Sequence, residues 1–161
     1  MSQTKANPDD FKWEVWHEFW VRGFEGSIES IADRLELPPP HRSGLKGESK
    51  PGGRRINQVS FCIYETRRRS GDTNWWNQHA HFEDLISLLK SLEQRQAVID
   101  QLSAECSVGL QTVVMSDSPF STLPFTPDRL AQLAKVGLNW SYVFYGTPLD
   151  LDEWGLSPEQ F

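Results

Sequence analysis

Four side chains of types that bind metal ions lie close together near the middle of the chain, namely His79, His81, Glu83 and Asp84. Imidazole nitrogens and carboxylate oxygens are zinc ligands, so this cluster is a candidate for metal chemistry. If the segment begins a helix, residues two apart project in different directions, and His79 is better placed to share an ion with Glu83 than with His81. Acidic and histidine side chains in a first helical turn more often form a solvated cap. We therefore predict no metal and no cofactor.

The sequence contains no recognisable arrangement for nucleophilic catalysis. A catalytic serine or cysteine needs a base and an orienting group beside it, and the chain has no Gly-x-Ser-x-Gly motif. Cys62 and Cys106 occur singly within apolar runs, which is typical of small buried side chains in a reducing compartment. His17 lies on the apolar register of its segment, which favours a core histidine. We therefore predict a protein that is not an enzyme and has no disulfide.

Aromatic and basic residues occur together on two predicted strands. Trp16 and Trp20 lie in the first, and Tyr64 lies in a second that runs into Arg67–Arg69. Aromatic rings on an open sheet with basic edges can bind single-stranded nucleic acid. However, 16 basic and 22 acidic residues give a formal charge of −6, which opposes nucleic acid and anionic lipid. Because Trp, Tyr and Arg also dominate protein interfaces, a protein partner is the favoured interpretation.

The elements that would position these residues follow from the spacing of apolar residues. Alternation predicts strands at 12–22, 59–64 and 140–144, and a less regularly alternating apolar run predicts another at 108–114. Helical spacing predicts helices at 28–35, 77–92, 97–102 and 127–136. Ser27 and Thr126 are predicted N-caps, and Gly137 is a predicted left-handed stop. This order predicts an α+β fold with a four-stranded antiparallel or mixed sheet and helices on one face. Its two βαβ-like halves would be related to the ferredoxin-like arrangement.

The length and composition indicate one folded domain. The chain has 161 residues, of which 38% are hydrophobic, and this is enough to form an apolar core without a metal or disulfide. We predict a flexible N-terminus at 1–10, a single domain at 11–146, and an acidic, aromatic tail at 147–161 that docks on the domain. No signal segment or membrane-length apolar stretch is visible, so we predict a cytoplasmic protein that does not bind membranes.

A long segment from Pro40 to Arg54 has no apolar periodicity, and such loops often carry function. Together with two tryptophans before the central helix it forms our predicted interaction surface, which comprises Lys46, Gly47, Glu48, Trp75 and Trp76. Adjacent tryptophans at a helix start cannot both face the core. The alternative is a clasp, in which Glu48 caps a helix or pairs with Arg55 and a tryptophan holds the loop.

Several short motifs occur in an order that resembles a bacterial family. They are Gly44-Leu45-Lys46-Gly47-Glu48, Trp75-Trp76, the leucine-rich stretch Phe82 to Leu92, Phe125-Thr126-Pro127, Leu130 to Ala134, Gly137-Leu138 and Tyr145. From Trp16 to Gly146 the chain resembles the family called domain of unknown function 4279. The resemblance implies a bacterial origin and a shared fold, and no activity or catalytic residue. We therefore expect a non-enzymatic protein-interaction domain, such as a toxin-immunity or adaptor protein. The alternatives are single-stranded nucleic-acid binding and an unrecognised hydrolase-type enzyme.

Overall fold

A computed structural model describes residues 13–49, 55–71, 80–116 and 125–146. These ranges form an α+β fold with four helices and one mixed sheet of six strands. The strands are β1 (Trp13–Arg22), β2 (Arg42–Gly44), β3 (Phe61–Glu65), β4 (Arg69–Gly71), β5 (Ser107–Ser116) and β6 (Asn139–Tyr145). The helices are α1 (Ile28–Leu35), α2 (Ala80–Glu93), α3 (Gln96–Glu105) and α4 (Pro127–Val136).

The first strand, β1, lies at the centre of the sheet. The strand order is β2-β3-β1-β5-β6, and β4 pairs with the first three residues of β1. β1 is antiparallel to β3, β4 and β5, whereas β5 and β6 are parallel. Parallel neighbours need a crossover connection, and α4 lies in the segment that joins β5 to β6.

The two faces of the sheet have different surroundings. Because side chains alternate along a strand, Phe19 and Val21 of β1 lie on one face, where they join an apolar cluster with residues from all four helices. The helical members of this cluster include Ile31, Leu35, Phe82, Leu85, Ile99, Leu102, Leu133 and Val136. We call the opposite face the outer face; on β1 it carries Glu14, Trp16, Glu18, Trp20 and Arg22. The buried side chains of the helices therefore stabilise one face only.

Local sequence signals define several helix ends. The hydroxyls of Ser27 and Thr126 each accept a hydrogen bond from the backbone N–H three residues later, so both predicted N-caps are confirmed. Gly137 ends α4 with φ 65°, as predicted. The carboxyl end of α1 is stabilised from a distance, because the Arg95 guanidinium donates to the carbonyl of Leu35 at 2.5 Å.

Two features of the predicted sheet are wrong. It has six strands rather than four, because β2 and β4 are polar and only three residues long, too short for alternation to reveal them. The first predicted βαβ half is also wrong, since β1 and β3 are antiparallel neighbours; the parallel βαβ unit is β5-α4-β6. The predicted terminus at 1–10 and tail at 147–161 lie outside the described residues. Within the described ranges, no helix has the length and apolar character needed to span a membrane.

Candidate functional site

A buried carboxylate, that of Glu18, lies at the centre of the outer face and is only 1% exposed. Such a group needs hydrogen-bond partners, because burying an unpaired charge is costly. The Trp16 indole N–H donates to it at 2.7 Å, and the Arg42 guanidinium and the Gln111 amide donate as well. Gln111 is the register partner of Glu18 on β5, whereas Arg42 extends from β2 across β3. Side chains from three strands are therefore fixed around one charge.

Two arginines cover this part of the outer face. The side chain of Arg42 is 49% exposed, but it contacts the buried Glu18 and also donates from Nε to Glu65 at 2.5 Å. Arg68 donates to the other oxygen of Glu65 at 3.3 Å, and its guanidinium carbon lies 4.1 Å from the centre of the Trp16 ring. The carboxylates thus lie beneath the guanidinium groups and hold them in defined orientations.

A third arginine, Arg22, is positioned mainly by an aromatic ring. Its guanidinium carbon lies 4.6 Å from the centre of the Trp20 ring, within the range of a cation–π interaction. Trp20 itself lies across β5, where a Cβ added at Gly109 would be 2.3 Å from the indole ring. Among the described residues no carboxylate forms an ion pair with Arg22. Its positive charge is therefore available to an anionic ligand.

A groove of about 350 Å³ lies between Arg22 and Arg42. Phe61 and Ile63 of β3 form its apolar floor, and the exposed Val59 lies at its rim. Phe61 is the register partner of Arg22, and Ile63 is the register partner of Arg42. The groove is therefore lined by apolar side chains of β3 and by two arginines, one from β1 and one from β2.

Three of the predicted interaction residues, Lys46, Gly47 and Glu48, form a turn beside this groove. Gly47 has φ 87°, a conformation that favours glycine, and the Glu48 carboxylate accepts from the backbone N–H of Leu45 at 2.8 Å. Asn57, which lines the groove, makes two backbone hydrogen bonds to the turn. Its carbonyl accepts from the Gly47 N–H, and its N–H donates to the Glu48 carbonyl, both at 2.9 Å. The carboxylate caps a turn rather than a helix, and Asn57 connects that turn to the groove.

The remaining predicted residues, Trp75 and Trp76, lie outside the described residues, as does His79. The segment predicted as an irregular loop, Pro40 to Arg54, is partly regular, because it contains β2 and also Ser49, which forms a bridge with Ile56. The polar residues of this segment give no alternation that would predict β2, which forms by pairing with the neighbouring β3.

The predicted platform of aromatic and basic residues is not assembled as expected. Tyr64 is buried on the helix-covered face, opposite Phe19, because it is one residue out of register with the outer face. Arg69 also belongs to the helix-covered face, where it binds Asp84 of α2 at 2.7 and 3.0 Å. Arg68, by contrast, lies over Trp16 on the outer face. Strand alternation therefore separates residues that looked contiguous in the sequence.

No sequence motif marks Glu18, Arg22 or Arg42 as site residues. A detectable signal existed for Glu18, since a single acidic residue between Trp16 and Trp20 on the same register is unusual in a strand. Its partner Arg42 lies in a segment without periodicity, so the pairing depends on the fold.

Comparisons with known proteins gave no match to a family model, a curated protein or a solved structure.

A second polar cluster lies on the helix-covered face around His17, which is fully buried. Its Nε2 lies 2.9 Å from the carbonyl of His81, which can only accept, so Nε2 carries the proton. Nδ1 then accepts from the Thr112 hydroxyl at 2.8 Å, and that hydroxyl accepts from the Trp140 indole at 3.0 Å. Burial, with a smaller effect of His81, lowers the pKa of His17 to about 3. His17 is the predicted core histidine, and neither ring nitrogen is left for general-base catalysis.

The candidate ligands and nucleophiles elsewhere in the described ranges are dispersed. No three histidine, cysteine or acidic side chains in these ranges come close enough to hold a metal ion. Cys62 and Cys106 are both free, and burial raises the pKa of Cys62 to about 11. At neutral pH the Cys62 thiol therefore stays protonated and is a poor nucleophile.

Proposed function

We propose that this chain is a non-enzymatic protein-interaction domain, of the kind found in immunity or adaptor proteins, which binds its partner through the outer face. The observation that carries the proposal is the set of oriented arginines Arg22, Arg42 and Arg68 on that face. A side chain that is already held in place loses less conformational freedom on binding. Arginine is also among the residues enriched at interface hot spots.

Exposed apolar side chains on the same face support a protein partner. Met115 and Tyr145 are register partners on β5 and β6, and both are exposed. Val59 is exposed at the groove, near the diagonally opposite corner of the sheet. Protein interfaces commonly combine apolar patches of this kind with arginine and aromatic residues.

The arrangement of the tryptophans gives less support to nucleic-acid binding. A base needs an exposed ring face on which to stack. Trp16 is buried with Arg68 over its ring, and Arg22 lies over the ring of Trp20. In addition, Arg42 and Arg68 are already paired with carboxylates, which reduces their attraction for phosphates.

The proposal includes a bacterial cytoplasmic location. It is supported by the two free cysteines and by the resemblance of residues from Trp16 to Gly146 to domain of unknown function 4279. The turn formed by Lys46, Gly47 and Glu48 belongs to the proposed surface because it adjoins the groove through Asn57.

Photo-crosslinking in cells of the native host tests the use of the outer face. One chain carries p-benzoylphenylalanine at Tyr145, which is 59% exposed on the outer face, and its matched control carries it at Leu130 of α4, which is 49% exposed. We expect a defined protein to crosslink from position 145 and not from 130, and Arg42→Gln to reduce its yield at least tenfold. Equal products from both positions, or crosslinks to nucleic acid alone, would contradict the proposal.

A further inference from the structure

We infer that Arg42 and Arg68 act as a single recognition unit, coupled through the carboxylate of Glu65, whereas Arg22 acts independently of both. This inference rests on the proposed function and assigns Glu65 as a positioning residue of the outer face. It is carried by the carboxylate that the two arginines share, by the burial of the acidic side chains beneath them and by the contacts of Trp16.

The carboxylate of Glu65 connects the two arginines. One of its oxygens accepts from Nε of Arg42 at 2.5 Å, and the other accepts from Nη2 of Arg68 at 3.3 Å. Arg68 also lies 3.4 Å from Glu14 at the surface. The Glu65 side chain is only 10% exposed, so water competes little for its oxygens. Because residues in one ion-pair network commonly show coupled effects, a change at one arginine is expected to alter the other.

A second carboxylate holds Arg42 in its place. Glu18 is the register partner of Glu65, and like charges directly opposite each other on antiparallel strands repel. Arg42 donates to both carboxylates and so offsets this repulsion. If its guanidinium group moved away, two almost fully buried carboxylates would be left opposite each other without it. Arg42 therefore has one strongly favoured orientation.

Trp16 connects the two ends of this network. Its indole N–H donates to Glu18 at 2.7 Å, and the guanidinium carbon of Arg68 lies 4.1 Å from the centre of its ring. Trp16 is itself buried, so the ring that supports Arg68 has little freedom to move. The contacts form a closed ring of side chains that runs through Glu18, Arg42, Glu65, Arg68 and Trp16. Each member is therefore held from two sides.

Arg22 lies on the same face but outside this ring of side chains. Its guanidinium carbon lies 4.6 Å from the centre of the Trp20 ring. Among the described residues it shares no carboxylate with Arg42, although both arginines line the groove. Substitutions at sites without shared partners usually have additive effects. Arg22 is therefore the matched control for the coupling between Arg42 and Arg68.

The coupling is tested first without a partner, by NMR of the ¹⁵N-labelled full chain, with the backbone amide spectrum verifying that each variant is folded. The Nε–H signal of Arg42, assigned by its loss in Arg42→Lys, reports the hydrogen bond to Glu65. We expect Arg68→Gln, which leaves both residues of that hydrogen bond in place, to shift this signal and to change the rate at which its proton exchanges with water. Arg22→Gln should leave the signal and the rate unchanged.

The role in recognition is tested by the yield of the crosslink from p-benzoylphenylalanine at Tyr145. In the otherwise unsubstituted chain, Arg68→Gln and Glu65→Gln should each lower this yield about fivefold. Once Arg42→Gln is present, adding Arg68→Gln should lower the yield by less than about twofold further, because the unit is already disrupted. Arg22→Gln should lower the yield by the same factor whether or not Arg42→Gln is present.

Two results would overturn the inference. One is an Arg42 signal that does not respond to Arg68→Gln, and the other is a loss of yield from Arg68→Gln that is equally large with and without Arg42→Gln. The two proposals fail separately. If position 145 captures a protein but the arginines act additively, the outer face is retained and the single unit is rejected. If position 145 captures nothing, the use of the outer face in recognition is rejected, and the NMR result alone decides whether the two arginines are coupled.

Discussion

At the scale of single residues, Glu18 determines how the outer face is organised. Its carboxylate accepts hydrogen bonds from Trp16, Arg42 and Gln111, and no other described acidic side chain on this face is as deeply buried. We expect Glu18→Gln to lower the free energy of unfolding by about 1–3 kcal/mol, because hydrogen bonds to a charged group are replaced by neutral ones. Urea denaturation at pH 7 measures the change.

A matched substitution on the same strand provides the control. Glu14 is 37% exposed and contacts Arg68 at 3.4 Å, a typical surface ion pair. Glu14→Gln should therefore change the free energy of unfolding by no more than about 0.5 kcal/mol. If both variants lose the same stability, the special role given to Glu18 is wrong.

His17 makes the stability of the protein dependent on pH. Its pKa is lowered from 6.5 to about 3, so below pH 6.5 the unfolded chain gains a proton that the folded chain does not. Stability from this group is complete above pH 6.5 and decreases as the pH falls towards 3, with a slope of up to about 1.4 kcal/mol per pH unit.

The variant His17→Asn removes this titrating group. It should be less stable than the wild type at pH 7, because the contacts with Thr112 and His81 are lost or weakened. Between pH 6 and pH 4, however, its stability should fall less steeply than that of the wild type. Urea denaturation across this pH range measures both slopes, and identical slopes would show that His17 does not remain neutral in the fold.

At the scale of elements, a glutamate side chain caps the turn after β2. The Glu48 carboxylate accepts from the Leu45 N–H, and the turn is connected through Asn57 to the segment before β3. Because the contact is exposed, we expect Glu48→Ala to lower the free energy of unfolding by about 0.5–1 kcal/mol. Glu48→Gln keeps an acceptor oxygen and should recover most of this loss in thermal or urea denaturation. Equal losses in the two variants would exclude the hydrogen bond as the cause.

The elements differ in how far their sequences predict them. β1 has ten residues with clear alternation, and α4 has Thr126, Pro127 and Gly137 at its ends, so both were predictable from local chemistry. β2 and β4 have no such signal, because each has only three residues and is defined by its pairing with a neighbouring strand. Strand partners were also unpredictable, since pairing depends on residues that are distant in the chain.

The candidate site likewise depends partly on residues that are distant in the chain. Lys46, Gly47 and Glu48 were predicted because they lie in an irregular segment, and the structure brings them beside the groove. The groove itself combines β1, β2 and β3, so no single segment carries its pattern. The face that Tyr64 occupies could not be predicted from its own segment, because a shift of one residue in strand register moves a side chain to the opposite face.

At the scale of the whole molecule, the two faces of the sheet differ in what covers them. The helix-covered face contains the main apolar cluster, to which all four helices contribute. On the outer face the guanidinium groups of Arg42 and Arg68 lie over their carboxylate partners. A chain with a formal charge of −6 therefore still has arginine side chains concentrated on one part of its surface.

The central position of β1 also has a consequence for biosynthesis. Trp13 pairs with Ser116, so the central strand leaves the ribosome about a hundred residues before its longest neighbour is complete. At translation rates of about 5–20 residues per second, this interval lasts roughly 5–20 s. During that time a strand rich in tryptophan has one edge without its native partner, and such edges pair readily with other chains. The nascent protein is therefore expected to depend on chaperones that bind apolar segments until β5 has been synthesised.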